Sequence, residues 1–299
     1  DANSISFISA SDDAKYTSFT LESEVIFPIK LDQTHESYFS TNFITSSLFG
    51  FHGADASDGT DFTWQDPDVR VYAIREEVES KNVKFVLTSS FGAISLETDA
   101  YLDTYENEKW NFAIRYKPAY GAGAVENADL QDYTLEFYGV NSEAGVNKNE
   151  FLLTASLPSS SVGQSFLTQA KRVYAGSHVT NFTGSNIDKT DVKISSVRYW
   201  GSYLDNDVIK THARDPQNYG TLNPSKNTYL WPSQLEDIRI PEVETLFLDW
   251  EFNQVSSSNA VGQFSVIDFS SGSSSDTDRY GWYSETSKKL HTGVGDFFI

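Results

Sequence analysis

Apolar residues recur at every second position in short runs along most of this chain, the period of a β-strand lying on a core. In residues 19–31, Leu21, Val25, Phe27 and Ile29 fall on one side, with Glu22, Glu24 and Lys30 opposite. That alternation predicts a half-buried antiparallel strand with its carboxylates on the outer side. Residues 110–116 put Trp110, Phe112, Ile114 and Tyr116 on one face, and residues 133–140 turn Leu135 and Phe137 inward. Residues 245–252 align Leu246, Leu248, Trp250 and Phe252. Further strands are predicted at 5–8, 47–51, 69–74, 83–88, 93–96, 151–155, 172–175 and 264–269. The charged stretch REEVESKN between residues 74 and 83 reads as a hairpin loop or a strand end.

The stretch 191–216, DVKISSVRYWGSYLDNDVIKTHARDP, breaks the period in an informative way. Val192 and Ile194 share one parity and Val197 and Tyr199 the other, which predicts a β-bulge at Ser195-Ser196 and an inward set of all four. The chain then turns at Gly201-Ser202. Asp205 is placed to cap a helix over 206–213 by accepting from first-turn N–H groups. Leu204 and Ile209 flank that cap as a hydrophobic staple. Arg214 suits the negative end of the helix dipole, and Pro216 stops the helix. The helix is expected to close one end of the fold over Leu204 and Ile209.

Composition narrows the class. The aromatic share of 14% in a chain rich in Ser, Asp and Gly fits an all-β sandwich with many turns, because each ring buries a large area. The net charge of −20 repels a phosphate backbone, which argues against nucleic acid and against anionic membranes, and favours solubility or divalent cations. With no cysteine, thiol catalysis, cysteine–zinc sites and disulfides are excluded. No apolar run is long enough to span a bilayer. The chain contains no methionine, and its end is apolar, which leads us to expect a processed product or one segment of a longer polypeptide. Residues 217–245, with Pro224, Pro232 and Pro241, read as an irregular excursion anchored by Tyr229 and Trp231.

Candidate chemistry is sparse. The five histidines, His35, His52, His178, His212 and His291, show no metal-ligand spacing. Asp55, Asp58 and Asp61 cluster around a glycine, a loop chemistry that calcium accepts, though the spacing is not that of an EF-hand. Asn181 begins a glycosylation sequon. Trp200, Trp231 and Trp282 lie near turns and are the candidates for stacking on a sugar, against the plainer role of core residues.

The order strand, sharp turn and single helical turn in 191–216 resembles the last core strand of laminin-G-like domains, a branch of the concanavalin-A-like jelly rolls. FTLE at 19–22, the Trp110 strand after ENEK, and VYAG at 173–176 resemble earlier strands of that family. SSLFGFH at 46–52, DWEFN at 249–253, FSVIDFSSGS at 264–273 and RYGW at 279–282 are similar to segments flanking such modules in very large structural proteins of tailed phages. Glu97, Asp99 and Asp103 resemble the E-x-D-x-x-E motif of laminarinase-type jelly-roll hydrolases. The last glutamate of that motif is missing here, because Leu102 stands in its place.

These resemblances imply an all-β, antiparallel two-sheet jelly-roll sandwich over residues 1–216 with a single short helix. Residues 217–299 would form an extension with two further strands, packing on the sandwich or leading into a next domain. The implied function is a non-enzymatic structural and recognition module of a larger surface or virion assembly, extracellular or virion-bound. It would bind glycans or neighbouring subunits, with calcium as the one cofactor to consider and no catalytic residue. The alternatives are a laminarinase-like glycan hydrolase and a calcium-dependent bacterial surface adhesin.

Overall fold

The structure, a computed structural model, describes residues 18–29, 44–53, 69–89, 93–118, 132–157, 171–179, 186–215, 246–258, 264–268 and 270. Its strands are β1 (Phe19–Ile26), β2 (Thr45–Gly53), β3 (Val69–Arg75), β4 (Val83–Ser89), β5 (Ile94–Glu97), β6 (Lys109–Pro118) and β7 (Tyr133–Glu143). They continue with β8 (Val146–Leu157), β9 (Lys171–Ala175), β10 (His178–Val179), β11 (Asn186–Asp188), β12 (Lys193–Trp200), β13 (Leu246–Ser258) and β14 (Phe264–Asp268). One helix, α1 (Asn206–Arg214), follows β12.

A seven-stranded sheet in the order β14-β13-β12-β1-β6-β7-β8 faces a five-stranded sheet in the order β5-β4-β3-β2-β9, and β10 and β11 pair separately. Every pairing is antiparallel. One apolar core joins the sheets, with Leu21, Val25, Trp110, Phe112, Ile114, Leu135 and Phe137 from the larger meeting Phe49, Val71, Phe85 and Leu87 from the smaller. Phe85 alone lies 4.8 Å from both the Trp110 and Phe112 rings. This is the two-sheet, all-β sandwich that the period-two pattern predicts.

The predicted bulge is present. Glu24 pairs with Ser196 and Val25 with Ile194, so Ser195 is the extra residue on β12. Val197 and Tyr199 sit in the core, and Val192 and Ile194 pack against it. The strand is interior, between β13 and β1.

β13 and β14 come from beyond residue 216 and extend the same sheet on the far side of β12. Here the predicted face of β13 needs correcting. Tyr199 pairs with Leu248 but Trp200 pairs with Leu246, so Phe247 is bulged and Leu246 turns to the sheet's outer side. Gly201 accommodates this bulge: a Cβ there would lie 2.1 Å from the Phe247 ring. At the β7–β8 hairpin, Ala144 and Gly145 both take positive φ, 49° and 78°, the geometry of a tight two-residue turn. β10 and β11 are too short to carry a period and are not visible in the sequence pattern. The strand predicted at 5–8 lies outside the described residues.

α1 is capped as predicted, with the Asp205 carboxylate accepting from the Val208 N–H at 3.0 Å. Its place differs from the expectation. It does not close an end of the sandwich. It lies on the outer face of the larger sheet, where Leu204, Val208, Ile209 and Ala213 cover Ala113, Tyr138, Val140, Trp200 and Leu246. An apolar helix stripe needs an apolar partner, and the small Ala113 between Tyr138 and Trp200 provides one.

Because Ile209 is fully buried on the inner face of the helix and Asp205 is exposed, the two should differ in cost. Ile209→Ala should destabilise by about 2–5 kcal/mol through lost transfer energy and packing. Asp205→Ala should cost about 0.5–2 kcal/mol, the value of a cap. Chemical denaturation with unchanged slopes checks the order. Equal costs would mean that the helix contributes little packing.

Candidate functional site

Strand alternation sends Thr20, Glu22 and Glu24 of β1, Asn111 and Arg115 of β6, Glu136 and Tyr138 of β7 and Arg198 of β12 to the outer face of the larger sheet. Sequence pattern alone would leave such a face in water. Instead Glu22, Glu24, Asn111, Arg115, Glu136 and Arg198 are all buried. A layer of charge this deep persists only if each member is paired.

At its centre is Glu22, 3% exposed. His212, carried in by α1, places Nδ1 at 3.0 and 2.9 Å from the two Glu22 oxygens. A carboxylate only accepts, so Nδ1 carries the proton and donates. The Trp200 indole N–H donates to Glu22 Oε2 at 2.8 Å, and the Asn111 amide donates to Oε1 at 3.3 Å. The imidazole lies flat against the Trp200 ring, 5.5 Å between centroids and 13° apart. Burial by itself would raise the Glu22 carboxyl. The His212 ring, Arg198 and the Trp200 N–H outweigh it and hold the carboxyl below its ordinary value of 4.5.

A second cluster lies beside it. Arg115 donates to the Leu204 carbonyl at 3.0 Å and to Asn206 Oδ1 at 2.7 Å, and pairs with Glu136 at 2.8 Å. Its guanidinium sits 4.9 Å from the Tyr138 and Tyr203 ring centroids. Arg198 donates to Asp249 at 3.1 Å, joining β12 to β13. Glu22, Glu24, Asn111, Ser196, Arg198 and His212 line a narrow recess between these groups.

Glu22 and His212 have the connectivity of a carboxylate-oriented imidazole. His212 Nε2 is enclosed and makes no hydrogen bond among the described residues. The pair therefore serves as a clamp between α1 and the sheet. Sequence reading missed it because Glu22 and His212 are 190 positions apart. The one available signal was His212 at the third position after Ile209, on the apolar face of the helix.

The residues singled out in the sequence fall elsewhere. Trp200 is fully buried, with one ring face against His212, so it is a core residue and not a surface for sugar. Glu97 is on β5, the outermost strand of the smaller sheet, and pairs with Lys84 at 2.7 Å. Asp99 and Asp103 follow in an exposed loop, Asp103 at a φ of 55°. Among the described residues no group of three or more His, Asp or Glu could hold a metal ion. Asp55, Asp58, Asp61, Trp231, Trp282, Asn181, His35 and His291 lie outside the described residues. No helix among the described residues is long and apolar enough to cross a membrane.

No protein-family model and no curated protein matches the chain. Among solved structures, it is similar to the crystal structure of the enzymatically active domain of tailspike protein 2 from bacteriophage CBA120. The likeness is at 10% identity and a TM-score of 0.36, over 66% of this chain and 24% of that one. That domain is named as enzymatically active, and on this finding the expectation that the present chain is not an enzyme is withdrawn. The likeness assigns no reaction to it.

Removing the Glu22 side chain with Glu22→Ala should cost about 3–5 kcal/mol, since it strands the His212, Trp200 and Asn111 donors in the interior. The pH dependence has a definite sign. A carboxyl depressed in the folded state contributes stability above its unfolded pKa, and loses it as pH falls through the folded value. Wild type should therefore lose stability below about pH 4.5 faster than Glu22→Gln. Parallel pH profiles from denaturant titrations would show that Glu22 is not held ionised.

Proposed function

We propose that this chain is a recognition and structural module of a larger extracellular or virion assembly, of the laminin-G-like, concanavalin-A-like jelly-roll kind. It meets its partner through one end of the sandwich. The supporting observation is where its exposed large apolar side chains lie. β1 starts and β14 finishes heading toward one end, which we call the near end. Of the five exposed large apolar residues among the described residues, Leu152 lies midway along β8, and the other four are Ile29, Ile44, Leu102 and Val146. All four lie at the opposite, far end.

Their placement follows from the topology. Ile29 follows β1, whose Ile26 pairs with Lys109 and Lys193. Ile44 precedes β2, and its carbonyl accepts from Arg75 N–H at 2.9 Å. Leu102 sits between β5 and β6, beside the Tyr101–Val83 bridge. Val146 opens β8 directly after the β7–β8 turn. Asp191 ties this end together, accepting from Ser46 at 2.5 Å and Tyr105 at 2.8 Å and pairing with Arg75. A rigid frame that holds apolar side chains in water at one pole is the form of an interface. The resemblances at 19–22, 110–116, 173–176 and 191–216 support the family, and the net charge of −20 suits an extracellular surface.

A labelled full chain applied to arrayed bacterial surface glycans and to purified virion proteins should give a saturable signal. The Leu102→Ser, Val146→Ser double variant should lose that signal while keeping its melting temperature, because exposed substitutions usually change stability by less than about 0.5 kcal/mol. A signal unchanged in the double variant, or none on either array, would count against the reading.

A further inference from the structure

The partner class at the far end is legible in its charge. Leu102 and Val146 are the two most exposed of the large apolar residues, at 72% and 64%. Each stands next to a strained turn residue: Asp103 at φ 55° beside Leu102, and Ala144 at φ 49° two positions before Val146. Left-handed backbone at non-glycine residues is costly and persists where the surrounding structure imposes it. Here the surroundings are rigid. Tyr101 bridges to Val83, and its ring packs tilted against Phe85 and edge-on to Trp110, with centroids at 5.5 and 5.0 Å.

Around these side chains most basic groups are already engaged, while Lys193 at the start of β12 is exposed and forms no ion pair among the described residues. Lys81 pairs with Glu106, Lys84 with Glu97, Lys148 with Glu143, Lys109 with Glu24 and Arg75 with Asp191. The exposed acids Glu76, Glu77 and Glu79 of the β3–β4 hairpin, and Asp99 and Asp103 of the loop before β6, form no ion pair among the described residues. Exposed apolar side chains rimmed by an excess of negative charge complement a surface of the reverse kind: apolar at its centre, basic at its rim.

We propose that the far end docks a basic protein surface, with Leu102 and Val146 as the apolar contacts and Glu76, Glu77, Glu79, Asp99 and Asp103 as the steering rim. This rests on the reading of that end as the interface and adds the class of partner. A glycan would use the apolar and aromatic groups but would draw nothing from the rim. A basic protein would draw on both, and its association would weaken with salt.

The probe is a synthetic peptide of alternating leucine and lysine, titrated by fluorescence anisotropy against the full chain, with a leucine–glutamate peptide as the control. Binding of the basic peptide, and not of the acidic one, is expected. It should weaken about tenfold in Glu77→Gln, Glu79→Gln and again in Leu102→Ser, Val146→Ser, and hold in Asp207→Asn, Asp215→Asn, which removes the same charge at the helix. Equal losses in both charge pairs would mean diffuse attraction to an acidic protein and would overturn the proposal. Glycan-array binding lost in Leu102→Ser, Val146→Ser but kept in Glu77→Gln, Glu79→Gln would leave the far end as the interface and remove the basic partner. Absence of peptide binding overturns the proposal too, and leaves the interface reading to the arrays.

Discussion

The larger sheet of this protein depends on holding a carboxylate where water cannot reach it. Glu22 lies under α1 on a central strand, and burying an unpaired charge there would cost several kcal/mol. Its partners come from three distant parts of the chain: Asn111 on β6, Trp200 at the end of β12, and His212 on α1. Each donates to Glu22, and together they fix how β1, β6, β12 and α1 meet. The apolar contacts beneath the helix give attraction without direction. The Glu22 contacts give the direction. They set the rotation of α1 about its axis, because only one face presents both His212 and Ile209 to the sheet.

The same logic runs outward. Arg115 holds the start of α1 through the Leu204 carbonyl and Asn206, and Arg198 holds β13 through Asp249. The helix and the two strands from beyond residue 216 are thus attached to the sheet by buried charges as well as by packing. At the far end Asp191 plays a matching part between the sheets, joining the start of β12 to β2, β3 and the Tyr105 loop. The Leu102 loop and the β3–β4 hairpin, which border this end, are therefore tied to a fixed frame. A rigid end costs less conformational entropy on binding than a loose one.

Much of the fold was legible in the sequence. The alternation through Trp110 and Phe112 marks a core strand, and the parity change across Ser195-Ser196 locates the bulge to the residue. The cap at Asp205 and the staple at Leu204 and Ile209 mark the helix. What the pattern could not convey was the fate of the strand faces opposite the core. Glu22, Glu24, Arg115 and Arg198 alternate with apolar residues as if they met solvent. Only the three-dimensional arrangement shows that α1 lies over them. Leu246 was misplaced for a related reason, since the bulge at Phe247 leaves no break in an otherwise even alternation. Trp200, near a turn in sequence, is buried because its indole N–H has a carboxylate to reach. The acid triplet at 55–61 and the tryptophans at 231 and 282 fall outside the described residues.

The hold of α1 on the sheet depends most directly on the coupling between Glu22 and His212. A double-mutant cycle with Glu22→Gln, His212→Gln and the pair, measured by chemical denaturation near neutral pH, isolates it. The structure predicts that each single change is strongly destabilising and that the double costs less than their sum, with a coupling of about 1–3 kcal/mol. Strict additivity would contradict it, and would mean that the helix is held by its apolar face alone.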